Sequence, residues 1–354
     1  MHEELGARIA ERIDALTPPI TRRAFAELVG MTPDGLSRAL SGQRGISSLE
    51  LLHIAEALNA DMHELVTGEP NPRQMTLAAR HDYDHATSQR SVPSFEEDKT
   101  VLEDIHIAYA QSGLPSRSAS SLTTDPHEMR GLLGECFSRH FIDRIESNLS
   151  TDVVRVAELG TAYTATIAGR AVIIIPAKGN WFRENWDLAH EIAHLVGLSS
   201  EDKANAYAAE LLLPSPLLRK VDWENASHQT IADFLWETGV STKALQNRLA
   251  SLRLGNVNVQ TILESPTQFF LRRAKSWSDE FGDQITKRMD SASTRRFPLA
   301  LLEAHESKVA AGEISPAYLA WMRGVSEAWI ADESEPHNTT SVADLASALG
   351  LKLA

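Results

Sequence analysis

The 354-residue chain contains one cysteine, few aromatic residues and no long apolar segment. With Cys136 alone, no intrachain disulfide can form, which fits a reducing compartment. No apolar run approaches the roughly 20 residues that a membrane-spanning helix needs. The first residues, MHEELGARIAERID, alternate in charge where a secretory signal would be apolar. The sequence therefore predicts a cytoplasmic protein that has no membrane partner.

Positive charge is also scarce in this sequence. It has 34 Lys and Arg against 48 Asp and Glu, which gives a formal net charge of −14. This balance excludes a protein that coats nucleic acid through a general positive field, so any DNA contact must come from a local basic patch. Hydrophobic residues make up 43% of the chain, as in globular proteins, and its length predicts two or three domains.

Composition and turn signals divide the chain into four segments. Residues 1–68 contain five short helical patterns separated by turns. Residues 69–100 are rich in Pro, Ser and charge and predict a linker. Helical patterns, then strand patterns and then further helical patterns fill residues 101–256, and residues 257–354 are mostly helical with no assigned role. This order predicts an α+β core with an all-α N-terminal domain and a mostly α C-terminal domain.

Three segments ahead of the central helices have the character of strands. DVVRVAEL, TAYTATIAG and RAVIIIPA are rich in β-branched residues. They predict an antiparallel sheet. The strand AVIIIPA would offer its edge to an extended peptide.

The stretch WDLAHEIAHLVG places His190, Glu191 and His194 in the pattern HExxH. On an α-helix, residues i and i+4 lie on one face, so both imidazoles can reach one metal ion. Glu191 lies beside them, where it can act as a base instead of a ligand. The pattern predicts one zinc ion per chain and hydrolysis of a peptide bond. The alternative is a buried helix that contains two core histidines.

A catalytic zinc needs a third protein ligand. In the longer pattern HExxHxxGxxH that ligand would fall on Ser200, which cannot replace a histidine. The next segment, SEDKANAYAAELLLP, predicts a helix with Glu201 and Asn205 on one stripe and Asp202 a quarter-turn away. Glu201 is therefore the preferred third ligand, with Asp202 as the alternative. Asn205 is expected to orient a histidine through its second ring nitrogen.

The HExxH motif followed by ExxAN-x-[FY]-A-x-x-L-L-x-P resembles the ImmA/IrrE-type zinc metallopeptidases. The resemblance covers roughly residues 153–254. It implies a zincin-like core in which His190, His194 and Glu201 bind zinc and Glu191 is catalytic. Relatives of this type cleave transcriptional repressors in response to stress, DNA damage or phage, so the implied substrate is a helix-turn-helix repressor.

The N-terminal helices, from ITRRAFAELVG to DMHELV, resemble the lambda-repressor-like (XRE-type) helix-turn-helix family. Gly30 would lie in the turn, and PDGLSRALSG would be the recognition helix, weakened by about 1 kcal/mol at Gly35. Ser37 and Arg38 are expected to reach bases or phosphate. The residues expected to hold the DNA backbone are Thr21, Arg22, Gln43 and Arg44.

Charge leaves two interpretations of this N-terminal segment. Six arginines face ten acidic residues between Met1 and Val66, a net charge of −4. The segment would then bind operator DNA through a small basic edge, or dock on a partner of the same fold. For the whole chain, the leading hypothesis is a regulatory zinc endopeptidase. The rival is a DNA-binding transcription regulator whose zincin domain senses metal or ligand without proteolysis, and the oligomeric state, homodimer included, stays open.

Three residues near the motif suggest accessory roles. A Cys136 thiolate that bound zinc would displace the catalytic water and hold the enzyme latent. The alternative is that Cys136 is a small buried apolar residue. Trp181 and Trp186 flank the motif and are expected to shield the zinc site.

Overall fold

The structure is a computed structural model, and it describes most of the chain. The described residues are 2–16, 18–58, 60–68, 76–79, 82–84, 89–91, 95–120, 122–274 and 283–334. They are mostly helical with a small mixed sheet, which is consistent with a multidomain α+β fold. The chain divides into two compact units, Met1–Gln74 and Met75–Ala354. None of the described helices combines the length and the apolar character that crossing a bilayer requires.

The first unit contains the five predicted helices around one apolar core. Side chains of Thr21, Thr32 and Asp61 cap three of these helices, each accepting a hydrogen bond from the backbone N–H three residues later. Phe25, Ile54 and the other inward residues are buried in a single cluster. The helices are α1 (His2–Asp14), α2 (Arg22–Leu28), α3 (Pro33–Leu40), α4 (Ser48–Leu58) and α5 (Met62–Thr67).

Two glycines shape the segment around α3. Gly30, with φ of +71°, makes the turn between α2 and α3 in the left-handed region that favours glycine. Gly35 lies inside α3, where an added Cβ would come within 2.8 Å of the capping hydroxyl of Thr32. The Gly35 carbonyl accepts a hydrogen bond from Arg44 Nε at 3.0 Å. Gly35 therefore makes room for the helix cap, a role that its low helix propensity did not predict.

The second unit is built on a four-stranded sheet in the order β1-β5-β6-β4. The three predicted strands are present, but the sheet is mixed and not antiparallel, because β4 runs parallel to β6. A tight turn through Ala168 and Gly169, both with positive φ, joins β5 to β6 and makes them antiparallel. The strands are β1 (Thr76–Ala79), β2 (Asp82–Asp84), β3 (Gln89–Ser91), β4 (Asp152–Val156), β5 (Tyr163–Ile167) and β6 (Arg170–Pro176).

The segment predicted as a linker, residues 69–100, contributes to this sheet. Strand β1 pairs antiparallel with β5, with Ala78 opposite Thr164. β2 and β3 form a separate two-stranded sheet, and the next helix already begins at Phe95. Backbone pairing with a distant strand is a tertiary effect that composition does not report. Because β6 is paired on both sides, it offers no free edge to a peptide, and that prediction is wrong.

Helices cover both faces of the sheet. Along β6, Ile173 and Ile175 belong to one core and Val172 and Ile174 to the other, as the alternation of a strand requires. The helices are α6 (Phe95–Ser112), α7 (Pro126–Leu133), α8 (Phe141–Asn148), α9 (Trp181–Leu195), α10 (Glu201–Leu212), α11 (Ser215–Leu218), α12 (His228–Thr238), α13 (Thr242–Leu252), α14 (Val257–Ile262), α15 (Thr267–Arg272), α16 (Gln284–Ser293), α17 (Leu299–Ala310), α18 (Ala317–Arg323) and α19 (Glu327–Ser334).

The helices after residue 256 share these two cores. Every buried apolar residue described beyond that point belongs to one core or the other, for example Ile285 on the α9 side and Leu301 on the opposite side. The backbones of Arg155 and Arg296 exchange two hydrogen bonds of 2.8 Å, which extends the sheet beyond β4. The described part of residues 257–354 is thus packed into the second unit and has no core of its own.

Candidate metal centre

Helix α9 is fixed firmly to the sheet. Asn180 caps its first turn by accepting from Arg183 N, and Gly197, with φ of +89°, follows its end. Its apolar face, including Leu188 and Ile192, is fully buried. Polar side chains on the rest of the helix are therefore held by a rigid backbone.

The two histidines of α9 point their Nε2 atoms at a common position. These atoms lie 3.1 Å apart. His190 Nδ1 is 3.1 Å from Asn205 Oδ1, and His194 Nδ1 is 2.8 Å from the Leu198 carbonyl oxygen. Because both of those partners accept, they favour the tautomer with the proton on Nδ1, which leaves the Nε2 lone pair for a metal. Asn205 thus lies where the sequence expected it.

Glu201, the first residue of α10, brings its carboxylate to the same position. Its Oε2 lies 3.2 Å from His190 Nε2 and its Oε1 3.4 Å from His194 Nε2. Asp202 is exposed. Of the two carboxylates that the sequence left open, the structure brings Glu201 to the histidines.

These three side chains fit a zinc ion. Tetrahedral ligands that bind at 2.0–2.1 Å are separated from one another by about 3.3 Å. The three measured separations of 3.1, 3.2 and 3.4 Å agree with that spacing. Two imidazoles and one carboxylate also form a donor set that catalytic zinc accepts, with a fourth position open to water or substrate.

Glu191 lies close to the histidines but is held differently from Glu201. Its carboxylate is buried and lies within 4.8 Å of both histidine ligand atoms. The hydroxyl of Thr164 on β5 is 2.8 Å from Glu191 Oε2 and donates to it. This hydrogen bond fixes the orientation of the Glu191 carboxylate. Thr164 comes from a strand 27 residues earlier in the chain, and no signal in the sequence singled it out.

Tyr163, the residue before Thr164, has a structural role. Its hydroxyl donates to Asp98 Oδ2 at 2.7 Å. Burial, the hydrogen bond to Asp98 and the nearby charges of Asp98 and Glu191 all raise the pKa of Tyr163 well above its usual range. Tyr163 therefore stays protonated and serves to fix β5 against α6.

A groove lies beside Asn205, between α9, α10 and α13. Its cavity measures about 680 Å³ and includes the side chains of Phe182, Trp186, Ala206 and Ala244. Trp186 thus borders the region next to the metal centre. Trp181 does not, because it lies half a turn around α9 from His190.

Cys136 is exposed in a left-handed turn, with φ of +52°, before the short 3₁₀ helix Phe137–Arg139. Among the described residues, the side chains that lie close enough together to hold a metal, His190, Glu191 and His194, do not include Cys136. The structure therefore does not bring the thiol to the centre, and the buried alternative for Cys136 is also wrong.

Three candidate DNA-binding residues lie on the surface of the first unit. Ser37 and Arg38 are exposed on α3, and Gln43 is exposed just after it. Arg38 Nη2 forms an ion pair with Asp34 Oδ2 at 3.1 Å. These residues are available to a partner, but Arg38, the one cation among them, is already paired with Asp34.

The other three candidates are engaged within the fold. Thr21 caps α2, and Arg22 pairs with Asp14 at 3.1 Å. Arg44 is half-buried and pairs with Glu50 at 2.6 Å, in addition to its bond to α3. Arg44 is therefore a structural residue.

The other arginines that the structure describes in the first unit are also bonded to acceptors within the fold. No lysine occurs before Lys99, so arginine supplies all of its fixed positive charge. Arg8 donates to the carbonyls of Leu65 and Val66, Arg12 pairs with Glu64, and Arg23 pairs with Glu27.

Comparisons of the chain with protein-family models, with curated proteins and with solved structures find no significant match.

Proposed function

We propose that this protein is a regulatory zinc-dependent endopeptidase of the ImmA/IrrE type, which cleaves a helix-turn-helix transcriptional repressor in response to stress, DNA damage or phage. The observation that carries the proposal is the spacing of the three donors, His190 Nε2, His194 Nε2 and the Glu201 carboxylate, around one point. The buried carboxylate of Glu191 lies next to these three donors and is not one of them.

The chain's own residues account for the proton transfers. When bound, zinc supplies Lewis acidity and lowers the pKa of a coordinated water. Glu191 accepts the proton of the attacking water and returns it to the nitrogen of the leaving amine. Thr164 holds the Glu191 carboxylate in place during both transfers, and Asn205 and the Leu198 carbonyl hold the two imidazoles.

The groove beside Asn205 gives the substrate a place to bind. Aromatic and alanine side chains line much of it, so it suits an apolar side chain of the substrate next to the cleaved bond. Trp186 forms part of this lining, one helical turn before His190. Substitution of Trp186 is expected to change the substrate preference more than the zinc content.

The first unit is better suited to a protein partner than to operator DNA. Each of the six arginines that the structure describes in this unit is bonded to a carboxylate or to backbone carbonyls, so phosphate would have to displace an existing partner. Docking on the helix-turn-helix domain of the repressor requires no such exchange. This interpretation predicts weak DNA binding that is little changed by Arg38→Gln.

The test begins with metal content. About one zinc per chain is expected in the wild type, none in Glu201→Ala, and wild-type content in the matched control Asp202→Ala. The second step is incubation of each form with a co-encoded helix-turn-helix repressor, followed by mass spectrometry of the products. Zinc in the wild type without cleavage, together with zinc-dependent binding of an operator, would establish the metal-sensing transcription regulator instead.

A further inference from the structure

A second cavity lies on the side of α9 opposite the metal centre. Trp181, Glu184 and Asn185, from the first turns of α9, form one wall, and α16 forms another. The cavity measures about 330 Å³, the small end of the range for ligand sites. No ligand or orienting residue of the metal centre lines it. It is called the arginine cavity below.

Four arginines line the arginine cavity, and three of them are held by carboxylates. Each of those three also crosslinks two elements of the second unit, so its role in the fold is clear. The pairs are Arg139 with Glu237, Arg155 with Glu184 at 2.8 Å, and Arg296 with Glu146 at 2.7 Å.

Arg288, on α16, is held by aromatic rings. Its guanidinium carbon lies 5.0 Å from the ring centre of Trp181 and 4.8 Å from that of Trp236. Within the part of the chain that the structure describes, no carboxylate forms an ion pair with Arg288. The rings satisfy none of its five N–H donors.

The surroundings of Arg288 disfavour its positive charge. Burial, followed by repulsion from Arg139, lowers the pKa of Arg288 to about 10, against the attraction of Glu184 and Glu237. The group therefore remains cationic at neutral pH although it is half-buried beside a like charge. A negative group placed between the two arginines would remove this repulsion.

We propose that the arginine cavity binds an oxyanion, a phosphate or carboxylate group, through Arg288 and through the N–H groups of Arg139 that its bond to Glu237 does not use. The planar guanidinium fork matches the oxygens of such a group, and the two arginines present it from different elements. Ser291, one turn along α16 from Arg288, also lines the cavity and can donate a further hydrogen bond. The site takes a small anion and is independent of zinc.

The experiment is isothermal titration calorimetry of the full chain at constant ionic strength, with sodium phosphate in one arm and sodium acetate in the other. We expect saturable binding with one site, and the arm that binds more tightly identifies the group. Arg288→Ala should weaken that binding at least tenfold, and Arg139→Gln severalfold. The matched control is Arg295→Ala, which removes a guanidinium that lies over Trp321 outside the cavity. It should bind as the wild type does.

Two results would overturn the proposal: a wild type that binds neither anion, or an Arg288→Ala variant that binds as tightly as the wild type. If Arg288→Ala does not fold, Arg288→Lys provides the test, because it keeps the charge but loses the fork. Arg288→Lys should then bind severalfold more weakly, and unchanged binding would count against the proposal. Binding is measured directly, so the result does not depend on any peptidase activity.

Discussion

The two sides of α9 make opposite use of polar residues. On one side, imidazole nitrogens and a carboxylate turn their lone pairs toward a common point within 3.1–3.4 Å of one another. On the other side, guanidinium groups gather around a small cavity, with Arg288 near Trp181. One side is built of electron-pair donors and the other of N–H donors.

The difference shows how one rigid helix keeps two sets of polar side chains apart. His190 and Trp181 are nine residues apart, which is two and a half turns, so their side chains project in opposite directions. The two imidazoles on the metal side are positioned by oxygen atoms that accept from their Nδ1–H groups. Most of the arginines on the other side are positioned by carboxylates. A substitution on one side should therefore leave the other side unaffected.

Replacing the proposed base should give the largest effect. Glu191→Gln keeps the size of the side chain but removes its basicity, so the rate of repressor cleavage should fall by about 10²–10⁴-fold. Zinc content and phosphate binding should not change. Cleavage at the wild-type rate by this variant would rule out Glu191 as the base.

The next largest effect is expected from the residue that orients His190. Asn205→Ala removes the acceptor 3.1 Å from His190 Nδ1 and should weaken zinc binding by about 10–100-fold. Competition with a chelator of known affinity measures this change. Asp202→Ala, an exposed neighbour on the same helix, is the control, and equal affinities in the two variants would contradict the assignment.

A smaller effect should come from Thr164, whose hydroxyl holds the carboxylate of the proposed base, Glu191. Thr164→Val preserves the shape of the side chain but removes the hydroxyl 2.8 Å from Glu191 Oε2. A hydrogen bond to a charged group contributes about 1.5 kcal/mol or more, which corresponds to roughly a tenfold loss in kcat. Zinc affinity should stay at the wild-type level. A fall in zinc affinity would show that Thr164 acts on the ligands instead.

The smallest expected effect lies on the arginine side and depends on pH. Burial raises the pKa of Glu184 above its ordinary value, against the attraction of Arg155. A raised pKa in the folded state means that folding favours the protonated carboxyl, so this contribution to stability is full below the ordinary pKa of about 4.3 and is lost as pH rises through the raised value. The Glu184→Gln variant has no carboxyl group at this position, so its stability does not fall with pH for this reason.

Chemical denaturation of both forms between pH 4 and pH 6 measures the difference. The stability of the wild type relative to Glu184→Gln should fall as pH rises across that window. A constant difference would mean that Glu184 titrates at its ordinary pKa. Zinc content should be the same in the two forms throughout.

The sequence predicted most of the metal side and little of the arginine side. His190, His194 and Glu201 are separated by one helical turn and one short connection, so helical geometry alone places them together. Thr164 reaches Glu191 only because β5 lies under α9 in the folded sheet, a contact that depends on strand order. Local periodicity carries no information about that order.

The arginine cavity depends even more on tertiary structure. Arg139 precedes α8, Arg155 lies on β4, and Arg288 lies on α16 near the far end of the described chain. Their convergence requires the packing of residues after 256 onto the central core. The sequence predicted a separate C-terminal domain there, and with that boundary no such cavity could be anticipated.

The position of β6 also has a consequence for the proposed metal centre when no ion is bound. This strand is hydrogen-bonded on both sides and buried on both faces, so its amide hydrogens should exchange with solvent only through global unfolding. Helix α9 packs directly on it. Removal of metal should therefore leave the backbone of the centre folded, and metal should bind again without a refolding step, unlike in a zinc finger, whose fold forms only when the ion binds.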